Sequence, residues 1–240
     1  MSEGAAEGTP PGVRPSEPSS AVSTTTVHLL RHGEVDNPTG MLYGRRGGFH
    51  LSELGVTMAQ RVADSIAGRD LVALVSSPLE RAQETAAPLA QATGLEVRLD
   101  ERVIESTNVF EGERFGVGDG VLLRPSSWRH LWNPFRPSWG EPYAHLAARM
   151  AAALQDARRS AEGHEAVVVS HQLPIWILRL HVEGRRFLHD PRRRQCTLCS
   201  LTSFTFHGDR VATLSYSEPA ADLIPVKERR APYSSGGRRG

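Results

Sequence analysis

The sequence predicts an α/β fold, a three-layer α/β/α sandwich with a mostly parallel central sheet. Short apolar runs typical of strands alternate with helix-like stretches from about residue 25 onward. Several of the helix-like stretches are followed by glycine, as at Gly68, Gly94 and Gly163. The chain has 240 residues, which is enough for one such domain and short for two.

Strands and helices alternate along the whole predicted domain. We predict strands at 26–30, 71–75, 96–99, 166–169, 196–206 and 210–216. We predict helices at 52–67, 79–93, 143–161 and 173–180. The second helix has the clearest start, because Ser77-Pro78-Leu79-Glu80 has the pattern of a capping box with proline at the first helical position. Ligands bind outside the carboxyl ends of the strands in such sheets, so a site is expected at that edge.

Three segments fall outside this alternation. Residues 1–24 are rich in Gly, Pro, Ser, Ala and Glu and cannot bury enough apolar surface to offset the entropy of ordering, so a disordered N-terminal tail is predicted. Residues 218–240 are predicted to be a flexible C-terminal tail, which leaves 25–217 as the domain. Residues 113–140 form an irregular insertion that contains tryptophans and arginines. We interpret it as a lid over the site, with packing of its aromatic side chains on the core as the alternative.

Composition and charge exclude several classes of function. The formal net charge of +1 produces no strong field toward nucleic acid or membranes, and no apolar run resembles a signal peptide or a membrane span. A cytoplasmic protein without nucleic-acid or membrane partners is expected, and no feature predicts its oligomeric state. Cys196 and Cys199 form a C-x-x-C pair, but no second pair completes a zinc site. Structural cysteines are therefore favoured over a zinc or redox pair.

Two of the predicted strands each end in a histidine. His32 follows the first strand directly after Arg31, and His171 follows the strand at 166–169. The carboxyl ends of parallel strands meet at one edge, so both imidazoles are expected there, with Arg81 from the first turn of the second helix. Guanidinium groups match phosphate oxygens, and a neutral imidazole can attack phosphorus. The set predicts phosphoryl transfer without a metal or other cofactor.

Three motifs carry a resemblance to a known family. They are Leu30-Arg31-His32-Gly33-Glu34, the stretch from Ser76-Ser77-Pro78 to Glu84-Thr85-Ala86, and Ser170-His171. Together, in this order and spacing, they resemble the signatures of the histidine phosphatase superfamily, the phosphoglycerate mutase-like group. The resemblance covers about residues 26–216, and it implies the same α/β/α fold.

The resemblance implies a role for each residue of the motifs. His32 would be the nucleophile that becomes phosphorylated, and Arg31, Arg81 and His171 would bind the phosphoryl group. Asn37, in the loop that follows, would be a further phosphate contact. Glu34 is expected to be structural rather than catalytic.

An acidic proton donor is implied after the third strand, in Leu99-Asp100-Glu101-Arg102-Val103-Ile104-Glu105. By the register of the family, Glu105 is the donor. Glu101 is the alternative if the register slips by one turn, and otherwise it is a surface carboxylate. The role of Glu141, just after the insertion, stays open.

The sequence also departs from the family. Gln172-Leu173-Pro174 follows His171 where many members have glycine, and the substrate-gripping motifs of the cofactor-dependent mutases are missing. The resemblance therefore implies the phosphatase branch, a metal-independent phosphomonoester hydrolase that acts on a small phosphorylated metabolite. A phosphoglycerate-type mutase is the alternative enzyme, and a non-catalytic phosphate-binding regulatory module is the alternative of another class.

Overall fold

A six-stranded sheet forms the centre of the computed structural model, which describes residues 23–113 and 140–224. Its strand order is β3-β2-β4-β1-β5-β6. The four strands β1 to β4 run parallel, and β5 and β6 complete one edge as an antiparallel pair. The strands are β1 Thr24–Arg31, β2 Leu71–Ser76, β3 Val97–Leu99, β4 Glu165–Ser170, β5 Leu201–His207 and β6 Arg210–Ser217.

Helices cover both faces of the sheet. They are α1 Glu53–Ile66, α2 Glu80–Thr93, α3 Tyr143–Ser160 and α4 Gln172–Val182. Apolar side chains of α1 and α2 share one core cluster, and those of α3 and α4 share another. The predicted three-layer α/β/α sandwich is confirmed.

The strands supply both clusters because side chains alternate across a sheet. On β1, Val27 and Leu29 pack on the α3 and α4 side, whereas Leu30 packs on the α1 and α2 side. On β4, Val168 and Val169 divide in the same way. Strands buried on both faces read as continuous apolar runs, which is why these two were recognisable in the sequence.

The start of α2 differs from the prediction. The helix begins at Glu80, its N-cap is Leu79, and no side chain caps it. The predicted capping box is therefore wrong. Ser77 instead hydrogen-bonds His171, and the Glu80 carboxylate accepts from the backbone N–H of Gly48 at 3.0 Å.

The start of β5 also differs, because the strand begins at Leu201 rather than at residue 196. Residues 196–200 lie outside the strand, with a turn at 198–199, and Cys199 adopts a left-handed φ of 53°. Cys196 and Cys199 are free, buried thiols, and burial raises their pKa to about 11 and to about 12. Such thiols are unreactive, in agreement with structural cysteines.

The C-terminal boundary lies later than predicted. Residues 221–223 form a 3-10 turn, and Ala220 and Ile224 pack into the cluster shared by α1 and α2. The prediction of a flexible tail from residue 218 is therefore wrong for residues 218–224. The predicted tail at 1–24 lies almost wholly outside the described residues, as does the predicted insertion at 113–140. Within the described ranges, no helix is both long and apolar enough to cross a membrane.

Candidate active site

His32 lies at the carboxyl edge of the sheet, directly after β1. Its backbone N–H donates to Ser170 O at 3.1 Å, which ties it to the end of β4. The ring Nδ1 lies 2.8 Å from Gly33 O and donates to it, because a carbonyl oxygen can only accept. This bond fixes the tautomer of the neutral ring and leaves the lone pair on Nε2, the nitrogen that a nucleophilic imidazole would use.

Glycines on both sides allow the close approach of the chain behind His32. A Cβ on Gly33 would lie 2.7 Å from Gly55 O, and a Cβ on Gly55 would lie 2.1 Å from Glu34 O. Ser52 caps α1 by accepting from the Gly55 N–H, and its hydroxyl donates to Glu34 Oε2 at 2.5 Å. Glu34 thus joins the nucleophile loop to the start of α1, which is the structural role expected for it.

His171 faces His32 across the edge. The two ring centroids lie 5.1 Å apart, and His171 is the N-cap residue of α4. Its Nε2 lies 2.8 Å from Ser77 Oγ, at the end of β2. Its Nδ1 is buried and has no hydrogen-bond partner among the described residues. The α4 N-terminus, the positive end of the helix dipole, lies at the same edge.

Arg81 is fully buried in the first turn of α2. Its Nη2 donates to Gly44 O at 2.6 Å, and its guanidinium lies 4.6 Å from the ring centroid of Tyr43. Nε and Nη1 are buried without hydrogen-bond partners in the part of the chain that the structure describes. A guanidinium held over an aromatic ring, with donors unsatisfied, is suited to bind an oxyanion.

Arg31 is the second buried arginine of the edge, since it is the last residue of β1. Its Nη1 donates to Cys196 O at 2.7 Å. The side-chain amide of Gln172 donates to the same carbonyl at 3.3 Å. The Gln172 that departs from the family pattern therefore contacts the carbonyl that anchors Arg31.

The electrostatics keep both histidines neutral. Burial is the main cause that holds the pKa of His32 well below its usual range, and the positive charges of Arg81 and Arg31 add to it. The pKa of His171 is lowered well below its usual range by burial, then by Arg81 and His32. Neutral imidazole is the form in which His32 can act as a nucleophile.

Glu105 is the acidic residue of the site. Burial raises its pKa, although the Ser106 backbone N–H and the charges of Arg81, Arg194 and Arg31 oppose that rise. A raised pKa keeps the carboxylic acid protonated at higher pH, as a general acid requires. Glu101 is exposed at the start of a 3-10 turn. The geometry favours Glu105 over Glu101 as the proton donor.

Asn37 is buried, but its side chain closes its own loop. Its Nδ2 donates to Met41 O at 2.8 Å, and its Oδ1 accepts from Met41 N at 3.1 Å and from Thr39 Oγ1 at 3.2 Å. The phosphate contact of Asn37 stays a prediction, and the structure gives this residue a loop-closing role.

Two side-chain contacts at this edge were not predicted from the sequence. Tyr43 supports the Arg81 guanidinium, and Ser77 holds the His171 ring. Ser77 lies just beyond a parallel strand, as His32 and His171 do, so the same rule could have found it. Nothing local in the sequence points to the contact of Tyr43, because it joins positions 38 residues apart along the chain.

The edge therefore concentrates positive charge and unsatisfied donors around one neutral imidazole, with one carboxyl group of raised pKa beside them. Such a set can bind a tetrahedral oxyanion, attack its phosphorus and protonate the oxygen that leaves. This is the machinery of phosphoryl transfer.

Comparison with known proteins gives the family. The histidine phosphatase superfamily (branch 1) matches residues 27–219 of the sequence, and the chain belongs to that superfamily. The uncharacterized protein Rv0525 of Mycobacterium tuberculosis is similar to it, with 57% identity over 197 residues, 82% of this chain and 98% of the relative.

Enzymes of two kinds are among the similar proteins. The probable phosphoglycerate mutase GpmB of Photorhabdus laumondii is 29% identical over 203 residues, 82% of this chain and 93% of the relative. The structure of mycobacterial glucosyl-3-phosphoglycerate phosphatase Rv2419c with VO3 has 27% identity and a TM-score of 0.64, and it covers 80% of this chain and 98% of that one. Phosphoserine phosphatase of Entamoeba histolytica shares the fold, with 24% identity, a TM-score of 0.66 and 81% and 98% coverage. Family and neighbours support an enzyme of the phosphoglycerate mutase and phosphatase type.

Proposed function

We propose that this protein is a metal-independent phosphomonoester hydrolase that acts on a small phosphorylated metabolite through a phosphohistidine at His32. The observation that carries the proposal is the fixed tautomer of His32. Its Nδ1–H is bound to Gly33 O, and its Nε2 is left as the nucleophile beside the unsatisfied donors of Arg81.

The reaction takes two steps. In the first, His32 Nε2 attacks phosphorus, the P–O bond to the leaving group breaks, and the Glu105 carboxylic acid gives its proton to the departing oxygen. In the second, a water molecule attacks the phosphorus of the phosphohistidine, its proton passes to the Glu105 carboxylate, the P–N bond to His32 Nε2 breaks, and inorganic phosphate leaves. Arg31, Arg81 and His171 bind the phosphoryl oxygens in both steps.

The charges of the site support the absence of a metal requirement. Two buried guanidiniums can neutralise the phosphoryl charge that a divalent cation neutralises elsewhere. Among the described residues, no group of three or more His, Cys, Asp or Glu is arranged to hold a metal ion. Activity on a generic aryl phosphate should therefore survive a chelator. Activity that a chelator removes and a divalent cation restores would contradict the mechanism.

Trapping of the intermediate is the direct test. Brief reaction with a phosphate ester labelled in the phosphoryl group, followed by alkaline quenching, should leave label on the protein. The label should be lost on acid treatment, as phosphohistidine requires, and it should be absent from His32→Ala. Retained binding of phosphate esters with neither turnover nor label would instead indicate a regulatory module.

A mutase is distinguished by its products. A mutase must keep a bisphosphate bound while it turns over, whereas a hydrolase must admit water to the phosphoenzyme. Incubation with 3-phosphoglycerate and 2,3-bisphosphoglycerate should yield inorganic phosphate without interconversion of the monophosphates. Rapid interconversion with little phosphate release would support the mutase that the similarity to GpmB suggests.

A profile of phosphate release should identify the substrate. Sugar phosphates, nucleotides, phosphoglycerates and cofactor-precursor phosphates are the classes to compare. We expect one class to exceed the others in kcat/KM, because an enzyme discriminates substrates by that ratio.

A further inference from the structure

Two arginines outside the phosphoryl-binding set converge on the proton donor. The backbone carbonyl of Glu105 accepts from Arg45 Nε at 2.6 Å and from Arg149 Nη2 at 3.3 Å. Arg149 Nη1 also donates to Arg102 O at 2.5 Å. The short segment that carries the donor is therefore held at two carbonyls, three residues apart.

Both arginines are bound to one carboxylate, that of Glu141. Arg149 binds it through Nε and Nη2, each at 2.9 Å, and Arg45 Nη2 lies 3.1 Å from its Oε2. His145 adds a further contact at 2.6 Å. The Glu141 side chain is only 8% exposed, so this is a nearly buried carboxylate that orients two guanidiniums.

The backbone fixes Glu141 relative to the donor segment. Gly140 pairs with Asn108 in an isolated bridge, and the Glu141 N–H donates to Thr107 O at 3.3 Å. A Cβ on Gly140 would lie 2.3 Å from that same oxygen, so the close approach requires glycine. The backbone of Glu141 is thus fixed to Thr107, two residues beyond Glu105. Its side chain is held separately by the two arginines.

Arg45 also connects the donor to the phosphoryl-binding site. The residue before it, Gly44, accepts from Arg81 Nη2 at 2.6 Å. The short segment 43–45 therefore contacts both Arg81, which would bind the phosphoryl group, and the backbone carbonyl of Glu105. Its position sets the separation between the phosphoryl group and the acid.

We propose that Glu141 is a positioning residue, which aligns Arg45 and Arg149 so that their N–H groups hold Glu105 at the leaving-group oxygen. The inference rests on the proposed function and extends it. Glu141 does not contact the substrate; it acts through two guanidiniums on the backbone of the donor. When the P–O bond breaks, the proton of Glu105 must already lie within reach of the departing oxygen.

The leaving group distinguishes positioning of the acid from general support of the fold. p-Nitrophenolate leaves readily without a proton, whereas an alkoxide needs the proton of a general acid. A misplaced donor should therefore slow hydrolysis of β-glycerophosphate far more than that of p-nitrophenyl phosphate. A merely structural defect should slow both reactions by the same factor.

Glu141→Gln is the first variant, because its neutral amide loses the charge that holds both guanidiniums and turns one of the two accepting oxygens into an N–H donor. We expect kcat/KM to fall about 10-fold for β-glycerophosphate and less than about 3-fold for p-nitrophenyl phosphate. Glu105→Gln should show the same selectivity with a loss of about 100-fold or more for the alkyl ester. The double variant should lose no more on that ester than Glu105→Gln alone, because both changes act on one proton transfer.

Glu165→Gln is the matched control. Glu165 is also a carboxylate between a histidine and an arginine, since it contacts His28 at 2.9 Å and Arg69 at 2.5 Å. It lies at the opposite end of the sheet, at the start of β4. Its replacement should leave the ratio of the two kcat/KM values unchanged. If Glu141→Gln does not fold, Arg45→Met removes one of the two donors to Glu105 O and should show the same selectivity.

The outcomes separate the inference from the proposed function. Equal losses on both substrates for Glu141→Gln or for Arg45→Met would overturn the positioning role, while the hydrolase would stand. Glu105→Gln without selectivity would overturn it too, because Glu105 would not be the acid. A wild-type protein that releases phosphate from neither ester and forms no phosphoenzyme would overturn the proposed function itself.

Discussion

His28 lies in β1 and His32 follows the end of that strand, four residues later, yet their surroundings are opposite. His28 Nδ1 lies 2.7 Å from Ser203 Oγ, and its Nε2 lies 2.9 Å from Glu165. Arg69 binds Glu165 as well. Around His28, both ring nitrogens have partners and the charges are balanced.

Around His32, by contrast, hydrogen-bond partners are missing and the charges are not balanced. Two buried arginines contribute positive charge, Glu105 has a raised pKa, and Arg81 and His171 retain buried nitrogens without partners among the described residues. Unsatisfied buried donors cost stability. They become favourable once a phosphoryl dianion accepts from them.

Burial alone does not distinguish the two environments. It is the main cause that lowers the pKa of His28, as it is for His32 and His171. The hydrogen bonds do distinguish them. Those of a structural histidine such as His28 are satisfied within the fold. A buried residue whose neighbours lack partners is the better indicator of a site in this protein.

Replacement of the two histidines is the strongest test of this contrast. His32→Ala should reduce turnover by at least about 10⁴-fold, the scale on which loss of a central catalytic group acts. His28→Ala should instead lower the thermal midpoint, since it leaves Ser203 and Glu165 without a buried partner, while activity per folded molecule stays within about 3-fold. Steady-state kinetics and thermal unfolding on both variants decide it. Activity in His32→Ala, or its loss in folded His28→Ala, would break the contrast.

The next comparison is between Arg81, near His32, and Arg69, which binds Glu165 near His28. Arg81→Lys should cost about 10²- to 10³-fold in kcat/KM, because the ammonium group replaces a flat fork of donors aimed at the phosphoryl oxygens. Arg69→Lys at the balanced end should change kcat/KM by less than about 2-fold, since a lysine can still pair with Glu165. Similar losses in both variants would show that Arg81 acts by supporting the fold.

The pH dependence sharpens the roles of His32 and Glu105. His32 must be neutral, and its lowered pKa places the acid limb of kcat/KM well below pH 6.5. Glu105 must be protonated, and its raised pKa places the alkaline limb above 4.5. We expect a bell-shaped profile. Glu105→Gln, assayed with β-glycerophosphate, whose leaving group needs a proton, should lose the alkaline limb and keep the acid limb.

Local signals made much of this molecule predictable. The strands around His32 and His171 are continuous apolar runs, and parallel packing brings their ends together, so both histidines could be placed at one edge from sequence. Arg81 follows from its position in the first turn of α2. These inferences needed only short segments and the rule that sites lie at the carboxyl ends of strands.

Contacts between distant positions could not be predicted in the same way. Ser77 was interpreted as a helix cap because its local pattern fits one, but His171 competes for its hydroxyl from 94 residues away. Arg149 lies within a helix and has no local feature that marks a partner such as Glu105 O.

Glu105 provides the most specific test of the surroundings of His32, and the effect expected from it is the smallest. Its pKa is raised in the folded state, so the stability linked to this group is present below its unfolded value near 4.5. That stability is lost as the pH rises through the folded value, because the buried carboxyl group must then ionise. Glu105→Gln removes this cost and keeps an oxygen that can accept from the Ser106 N–H.

We therefore expect Glu105→Gln to unfold at a higher temperature than the wild type at pH 7.5, by at most about 4 °C, the shift that roughly 1 kcal/mol produces in a chain of this size. The difference should shrink toward pH 5, where the wild-type carboxyl group is increasingly protonated. Thermal unfolding in phosphate-free buffer measures it, with Glu165→Gln as the control. Glu165 has a lowered pKa, so its replacement should destabilise at pH 7.5. A variant at Glu105 that loses stability would mean that its carboxylate is favoured by the arginines rather than penalised by burial.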